Sequence, residues 1–193
     1  MNPNDLPLNQ MQISTQLPIF WMHLGHMDGE LQMARTAIDE LRISHPESTP
    51  SNVKAVYMSP WKSHTLNDKL MPLCNATVEI VTEASRRYMN TDMSKLNFML
   101  RVTDCWGVIY EKSDTTTLHN HFPADFSAVV YLEAGENCAP IIFSESIVVK
   151  PKPKTIIAFP GILQHRVPEN EDNRVIVAMN LNKFPDFKPA ADS

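Results

Sequence analysis

His119 and His121 stand two positions apart in the run Leu118-His119-Asn120-His121-Phe122-Pro123. On an extended backbone, residues i and i+2 point to the same side, so both imidazoles can face one point. Two neutral imidazoles converging on one point are most readily explained by a metal ion. A polar loop can also carry such a pair by chance, since the chain has seven histidines. The distal residues decide between the two. His165 follows the turn Phe159-Pro160-Gly161, and Arg174 opens the apolar run Val175 to Leu181. An Arg heading a strand that runs inward is costly to bury unless an anion pairs with it. The competing account leaves Arg174 exposed against Glu169, Glu171 or Asp172. With a metal upstream, one anionic ligand accounts for both features, chelating the ion at one end and meeting the guanidinium as a bidentate pair at the other.

Those residues need elements to carry them. Leu17 to Leu24 reads as a first strand, and Asp28 as the N-cap of a helix over 29–44 whose Leu31, Ala34, Ile38 and Leu41 form an apolar face. A second helix is expected over about 66–90, with Leu66, Leu70, Leu73, Thr77, Val81, Ala84 and Tyr88 on one side. Pro72 sits badly in a helix interior, so the main helix either starts near it or follows a short turn. Arg86 and Arg87 then suit the negative end of the helix dipole. Asn52 to Met58 reads as a strand, and Trp61 as a side chain packed against the core.

After Asn90 the pattern turns to β. Strands are expected at 97–103, 106–110, 127–132, 141–143, 147–149, 155–159 and 175–181. Glu111 to Thr117 reads as a polar connection, with Asp114 as a turn residue, and Lys150, Lys152 and Lys154 as a solvated turn. The expected fold is α+β and mainly β: a double-stranded β-helix, or jelly roll, with two N-terminal helices packed outside the sheet. One domain is expected, with an arm at 1–16, helical support at 17–92, the catalytic roll at 93–183 and a loose tail at 184–193.

Composition narrows the function. The formal net charge of −5 argues against a nucleic-acid backbone as the partner. No apolar run reaches membrane-spanning length, and residues 1–7 show no secretory leader pattern. Three scattered cysteines, Cys74, Cys105 and Cys138, are not a disulfide framework and fit a reducing, cytoplasmic setting.

The chain from Trp106 through His119-Asn120-His121, Ser127 to Leu132, Ile156 to Pro160, His165-Arg166-Val167 and Asn173-Arg174 resembles the iron(II)- and 2-oxoglutarate-dependent oxygenases. Within them it is most similar to the prolyl-hydroxylase-like branch and to its short His-x-His members in bacteria and phages. The resemblance covers roughly residues 97–183. It implies Fe(II) on His119, His121 and His165, and 2-oxoglutarate held by Arg174 and Tyr131, with Tyr110 a weaker contributor to that pocket. O2 is the cosubstrate, ascorbate an accessory reductant, and hydroxylation of a peptide or small molecule the reaction, with peptidyl proline among the candidates. His121 departs from the wider family, which has a carboxylate there. Asp125 is the less favoured stand-in. A three-His face is neutral, so the metal keeps more positive charge than with a carboxylate.

Two other readings remain open at this point. A cupin-like three-His metalloenzyme would not use 2-oxoglutarate, but it leaves Arg174 without a task and lacks the Glu that usually follows the pair. A jelly-roll module without catalysis would hold no metal. The sequence names neither the substrate nor the oligomeric state, although the N-terminal arm could mediate pairing.

Overall fold

The computed structural model describes residue 11 and residues 15–186; the expected N-terminal arm therefore lies almost wholly outside the described residues. Eleven strands build two antiparallel sheets. The larger has the order β1-β9-β6-β11-β4-β3 and the smaller β2-β5-β10-β7-β8. The strands of the larger sheet are β1 (Phe20–His23), β3 (Tyr57–Met58), β4 (Phe98–Tyr110), β6 (Phe126–Ala134), β9 (Thr155–Pro160) and β11 (Arg174–Pro185). Those of the smaller are β2 (Val53–Lys54), β5 (Thr115–His119), β7 (Ile141–Phe143), β8 (Ile147–Val149) and β10 (His165–Val167).

Strand alternation sorts the larger sheet into two faces. Val175, Val177, Met179 and Leu181 of β11 join Cys105 and Ile109 of β4 and Val130 of β6 in a cluster under the helices. Ile176 and Ala178, with Trp106, Val108, Tyr110, Tyr131 and Phe159, face the smaller sheet and meet its Ile141, Phe143 and Val167. The two sheets thus pack face to face around a second core.

The helical layer forms largely as its pattern demands. Helix α1 (Asp28–Ser44) buries Leu31, Ala34, Ala37, Ile38 and Leu41. Asp28 is not its N-cap. Met27 holds that position without a side-chain cap, and Asp28 lies in the first turn, paired with Lys154 at 2.8 Å. Lys154 is therefore not merely solvated. Such an exposed pair contributes under about 1 kcal/mol, and the first-turn carboxylate adds a favourable interaction with the helix dipole.

The second helical stretch is three pieces: α2 (Ser63–Leu66), a 3-10 turn (Asp68–Leu70) and α3 (Met71–Tyr88). Pro72 sits in the first turn of α3, where its missing N–H costs nothing. Leu66 and Tyr88 leave the expected apolar face and are exposed. Arg86 and Arg87 are solvated as expected and pair with Glu83.

Other elements differ from the sequence pattern. The strands expected at 97–103 and 106–110 are one thirteen-residue strand, β4. Asn52–Met58 divides between the two sheets as β2 and β3. The expected polar connection at 111–117 ends inside β5, and β10 is a further strand that begins at His165. β11 runs to Pro185, so residues 184 and 185 belong to the sheet rather than to a tail. Polar threonines on β5 hid a strand whose pairing to β10 and β2 comes from tertiary contacts.

Candidate metal centre and the arginine behind it

His119 is the last residue of β5 and His165 the first of β10; these strands pair antiparallel with the two residues directly opposite one another. Their ring centroids lie 4.2 Å apart. His121 belongs to the turn after β5 rather than to the strand. It is fixed by its own N–H to the Gly161 carbonyl (2.7 Å) and by its carbonyl, which accepts from Ala124 N (2.8 Å). Gly161 is required there, because a Cβ would meet the Ala124 carbonyl oxygen at 2.1 Å. The turn brings the His121 ring to 4.9 Å from that of His119 and 5.1 Å from that of His165. One ligand atom from each histidine lies within 4.8 Å of the others.

The backbone selects the tautomers. His119 Nδ1 is 2.8 Å from the Thr117 carbonyl and His165 Nδ1 is 3.1 Å from the Leu163 carbonyl. A carbonyl only accepts, so each Nδ1 carries the proton and each Nε2 is left with a lone pair. Metal-binding histidines typically have this support. Burial lowers the pKa of all three rings: His121 to about 4, with the neighbouring His119 adding to the shift, and His165 to about 3, with His119 and His121 adding to it. The cluster is thus neutral and ready to donate at neutral pH.

Asp125, the stand-in carboxylate, is not part of this group. It is engaged by Lys183, whose backbone N–H and Nζ reach its two oxygens at 2.7 and 2.8 Å. Asp114 is the turn residue expected, accepting from Glu111 N and Val56 N.

Arg174 forms a second centre, at the head of β11 in the larger sheet. It is 1% exposed. Its Nη1 donates to the Ala139 carbonyl at 3.0 Å, and its guanidinium lies 4.1 Å from the centroid of the Tyr110 ring. Asn170 holds that carbonyl in place by accepting from Ala139 N at 2.9 Å. Nε and Nη2 of Arg174 have no hydrogen-bond partner, and among the described residues no carboxylate pairs with the guanidinium. Glu169, Glu171 and Asp172, the exposed-pair alternative, do not reach it. A buried guanidinium with two idle donors is costly unless an anion completes it.

Tyr110 and Tyr131 are both buried beside Arg174. Burial raises both phenols, that of Tyr131 to about 12, with Arg174 partly offsetting the rise. Tyr110 OH shares a hydrogen bond with Thr116 Oγ1 (2.8 Å), and its ring face lies against the arginine. Phe159 and Phe143 stand beside His165, at 4.8 and 5.6 Å between centroids, so apolar rings border the metal cluster on its inner side.

A cavity of about 310 Å³ opens beside His119 and His121. His165 and Arg174 do not line it; they lie deeper. Trp61 does line it, edge-on to Trp106 at 4.7 Å, so this residue is more than a core side chain. Asp104, Asn180 and Asn182 line it too. None stood out in the sequence. The one signal for them was alternation: Asp104 shares the inward parity of Trp106 and Tyr110, and Asn180 that of Arg174.

No family model matches the chain, and no curated protein matches it by sequence. Solved structures do match by shape. A prolyl hydroxylase from Trichoplax adhaerens, in complex with a hypoxia inducible factor peptide fragment, is 13% identical with a TM-score of 0.63, over 91% of this chain and 87% of that one. A non-heme alpha-ketoglutarate-dependent epimerase from nogalamycin biosynthesis is also 13% identical, with a TM-score of 0.64 over 91% and 86%. A Pseudomonas putida prolyl-4-hydroxylase is 12% identical, with a TM-score of 0.62 over 85% and 91%. At such identities the likeness establishes a shared fold, and it agrees with the resemblance carried by the histidine motifs.

Proposed function

We propose that the chain is a non-haem Fe(II)- and 2-oxoglutarate-dependent dioxygenase of hydroxylase type, with its two sheets forming a double-stranded β-helix. The observation that carries the reading is Arg174: a buried cation with two unsatisfied donors, in a chain whose three neutral imidazoles share one focus. A cupin-like three-His site gives that guanidinium no partner. A dicarboxylate whose near end binds the metal and whose far end meets Arg174 satisfies both centres.

The residues fit Fe(II) as a cofactor. His119, His121 and His165 would hold the ion through a neutral three-nitrogen face, and it would act there with a 2-oxo acid and O2. With those bound, the metal supplies the oxidising power to insert one oxygen atom into a substrate C–H bond as 2-oxoglutarate becomes succinate and CO2. The protein's part is positional. The Thr117 and Leu163 carbonyls hold the His119 and His165 rings with Nε2 toward the ion. Nε and Nη2 of Arg174 would donate to the distal carboxylate, and Tyr131 OH would add a third donor. Tyr110 packs against the guanidinium and keeps it from turning away. Phe143 and Phe159 stand beside His165 and keep water from that side of the cluster. Substrate enters from the side where the cavity opens on His119 and His121.

The Trichoplax enzyme's peptide complex and the epimerase show that this fold serves both peptide and small-molecule chemistry; either substrate class is compatible with this chain. Among the described residues no helix is long and apolar enough to cross a membrane. Cys74, Cys105 and Cys138 are buried and unpaired, which fits a reducing, cytoplasmic location. Anaerobic titration with Fe(II) and 2-oxoglutarate tests the assignment. A weak visible metal-to-ligand band, followed in air by succinate formation, is the expected result. Metal binding without the band favours the cupin-like alternative, and no metal binding at all removes the enzyme reading.

A further inference from the structure

Asp104 is the one charged side chain lining the cavity beside the histidines. It lies on the inward face of β4, paired in register with Asn180 of β11. Its Oδ2 accepts from Asn180 Nδ2 (3.3 Å) and from Thr103 Oγ1 (3.4 Å). Asn180 is itself held by Ser127, which donates to its Oδ1 at 2.8 Å, and Asn182 Nδ2 donates to Thr103 Oγ1 at 2.8 Å. These bonds use one N–H of each amide and leave one carboxylate oxygen and one amide carbonyl without a donor. Among the described residues Asp104 Oδ1 and Asn182 Oδ1 have no hydrogen-bond partner, and His64, within electrostatic reach of Asp104, makes no ion pair with it.

Trp61 supplies the facing wall. Its backbone carbonyl accepts from Cys105 N at 2.8 Å, which pins it beside β4 next to Asp104. Its ring stands edge-on to Trp106 and is 38% exposed, an indole available at the cavity. A fixed carboxylate with a free oxygen, a free amide carbonyl and an indole surface together make a site for a positively charged nitrogen. The negative charge of Asp104 and the electron-rich indole face favour a cation over an anion there.

We propose that Asp104, Asn182 and Trp61 form the substrate-recognition subsite, and that the substrate carries a cationic nitrogen, an ammonium or guanidinium, which docks there while a neighbouring C–H bond faces the histidines. The inference rests on the oxygenase reading for the word substrate, but the subsite is built from residues that hold neither metal nor cosubstrate. The cation could belong to a Lys or Arg side chain in a peptide or to a free amine.

Binding to the metal-free protein tests this independently of turnover, read by tryptophan fluorescence and calorimetry. The probes are N-acetyl-lysine amide, N-acetyl-arginine amide, butylamine and the uncharged N-acetyl-norleucine amide. A cationic probe is expected to bind more tightly than the norleucine probe. Asp104→Asn, which keeps the shape, should weaken the cation by about tenfold or more and leave the norleucine probe unchanged. Trp61→Leu should weaken it severalfold. Preference for the acetylated amides over butylamine assigns the cation to a peptide side chain, and the reverse assigns it to a free amine. Equal binding of cationic and uncharged probes, or full cation affinity in a folded Asp104→Asn protein, overturns the proposal. Wild-type protein titrated with Fe(II) and 2-oxoglutarate separates the two failures. Without a visible band there the oxygenase reading falls, whatever the cation probes do.

Discussion

The two faces of the six-stranded sheet are built from the same strands and do opposite work. Under the helices the contacts are mainly aliphatic: Ile38 and Leu41 of α1, Leu73 and Val81 of α3, and Val177, Met179 and Leu181 of β11. Toward the smaller sheet the alternate residues of those strands add aromatic and polar groups, Trp106, Tyr110, Tyr131 and Arg174, to aliphatic ones such as Val108 and Ile176. One face fixes the helical layer to the sheet. The other holds a buried cation two of whose nitrogens have no hydrogen-bond partner, at a cost in stability. A single strand such as β11 supplies both because its side chains alternate, and a change of one residue in position changes which function a substitution touches.

The largest expected effect is on metal binding. His165→Ala should weaken Fe(II) affinity on the order of 10³-fold, measured by equilibrium dialysis under anaerobic conditions. Ile38→Ala, on the other face, should leave that affinity intact while lowering unfolding free energy by about 2–4 kcal/mol in urea denaturation. If Ile38→Ala also abolished metal binding, the two faces would not be separable.

Arg174→Met sharpens the contrast further, because its two effects have opposite signs. It should lower 2-oxoglutarate affinity on the order of 10²-fold. In the cosubstrate-free protein it should be neutral or raise stability by about 1 kcal/mol or more, since an uncompensated buried charge is replaced by an apolar chain. A large loss of stability would mean that the guanidinium is already satisfied.

Gly107 tests the helix side at its closest approach. A Cβ there would lie 2.5 Å from Ile38 Cγ1. Gly107→Ala should cost about 1–3 kcal/mol by overpacking, and in the double substitution with Ile38→Ala the costs should add to less than their sum.

The site face should respond to pH through its histidines. Burial holds His121 at about 4 and His165 at about 3, below the unfolded value near 6.5. Their lowered values mean that the unfolded chain takes up protons first. The metal-free protein should therefore keep its full stability above about pH 6.5 and lose it as pH falls toward 4 and 3. Melting temperature against pH should fall along this limb, and His165→Phe should flatten it. Tyr131→Phe is the smallest change expected, about 1 kcal/mol or severalfold in 2-oxoglutarate affinity.

Much of this was legible in the sequence. The three histidines, Arg174 at the head of a strand and the apolar face of α1 are all where residue type and spacing put them. The strand at 115–119 was not, because Thr115, Thr116 and Thr117 read as polar linker until β10 and β2 pair with them. Nor was Trp61, placed by one backbone bond to Cys105, or Asp104, whose neighbours Asn180 and Thr103 come partly from a strand far along the chain. Residues held by local periodicity are readable from the chain; residues held by contacts between distant strands are not.

The claim beneath all of this is that Arg174 waits for a second carboxylate. Calorimetric titration of Mn(II)-loaded protein with 2-oxoglutarate and with 2-oxobutyrate, which lacks that carboxylate, tests it directly. Wild type should prefer 2-oxoglutarate on the order of 10²-fold, and Arg174→Met should bind the two nearly alike. Equal affinity for both acids in the wild-type protein would contradict the account.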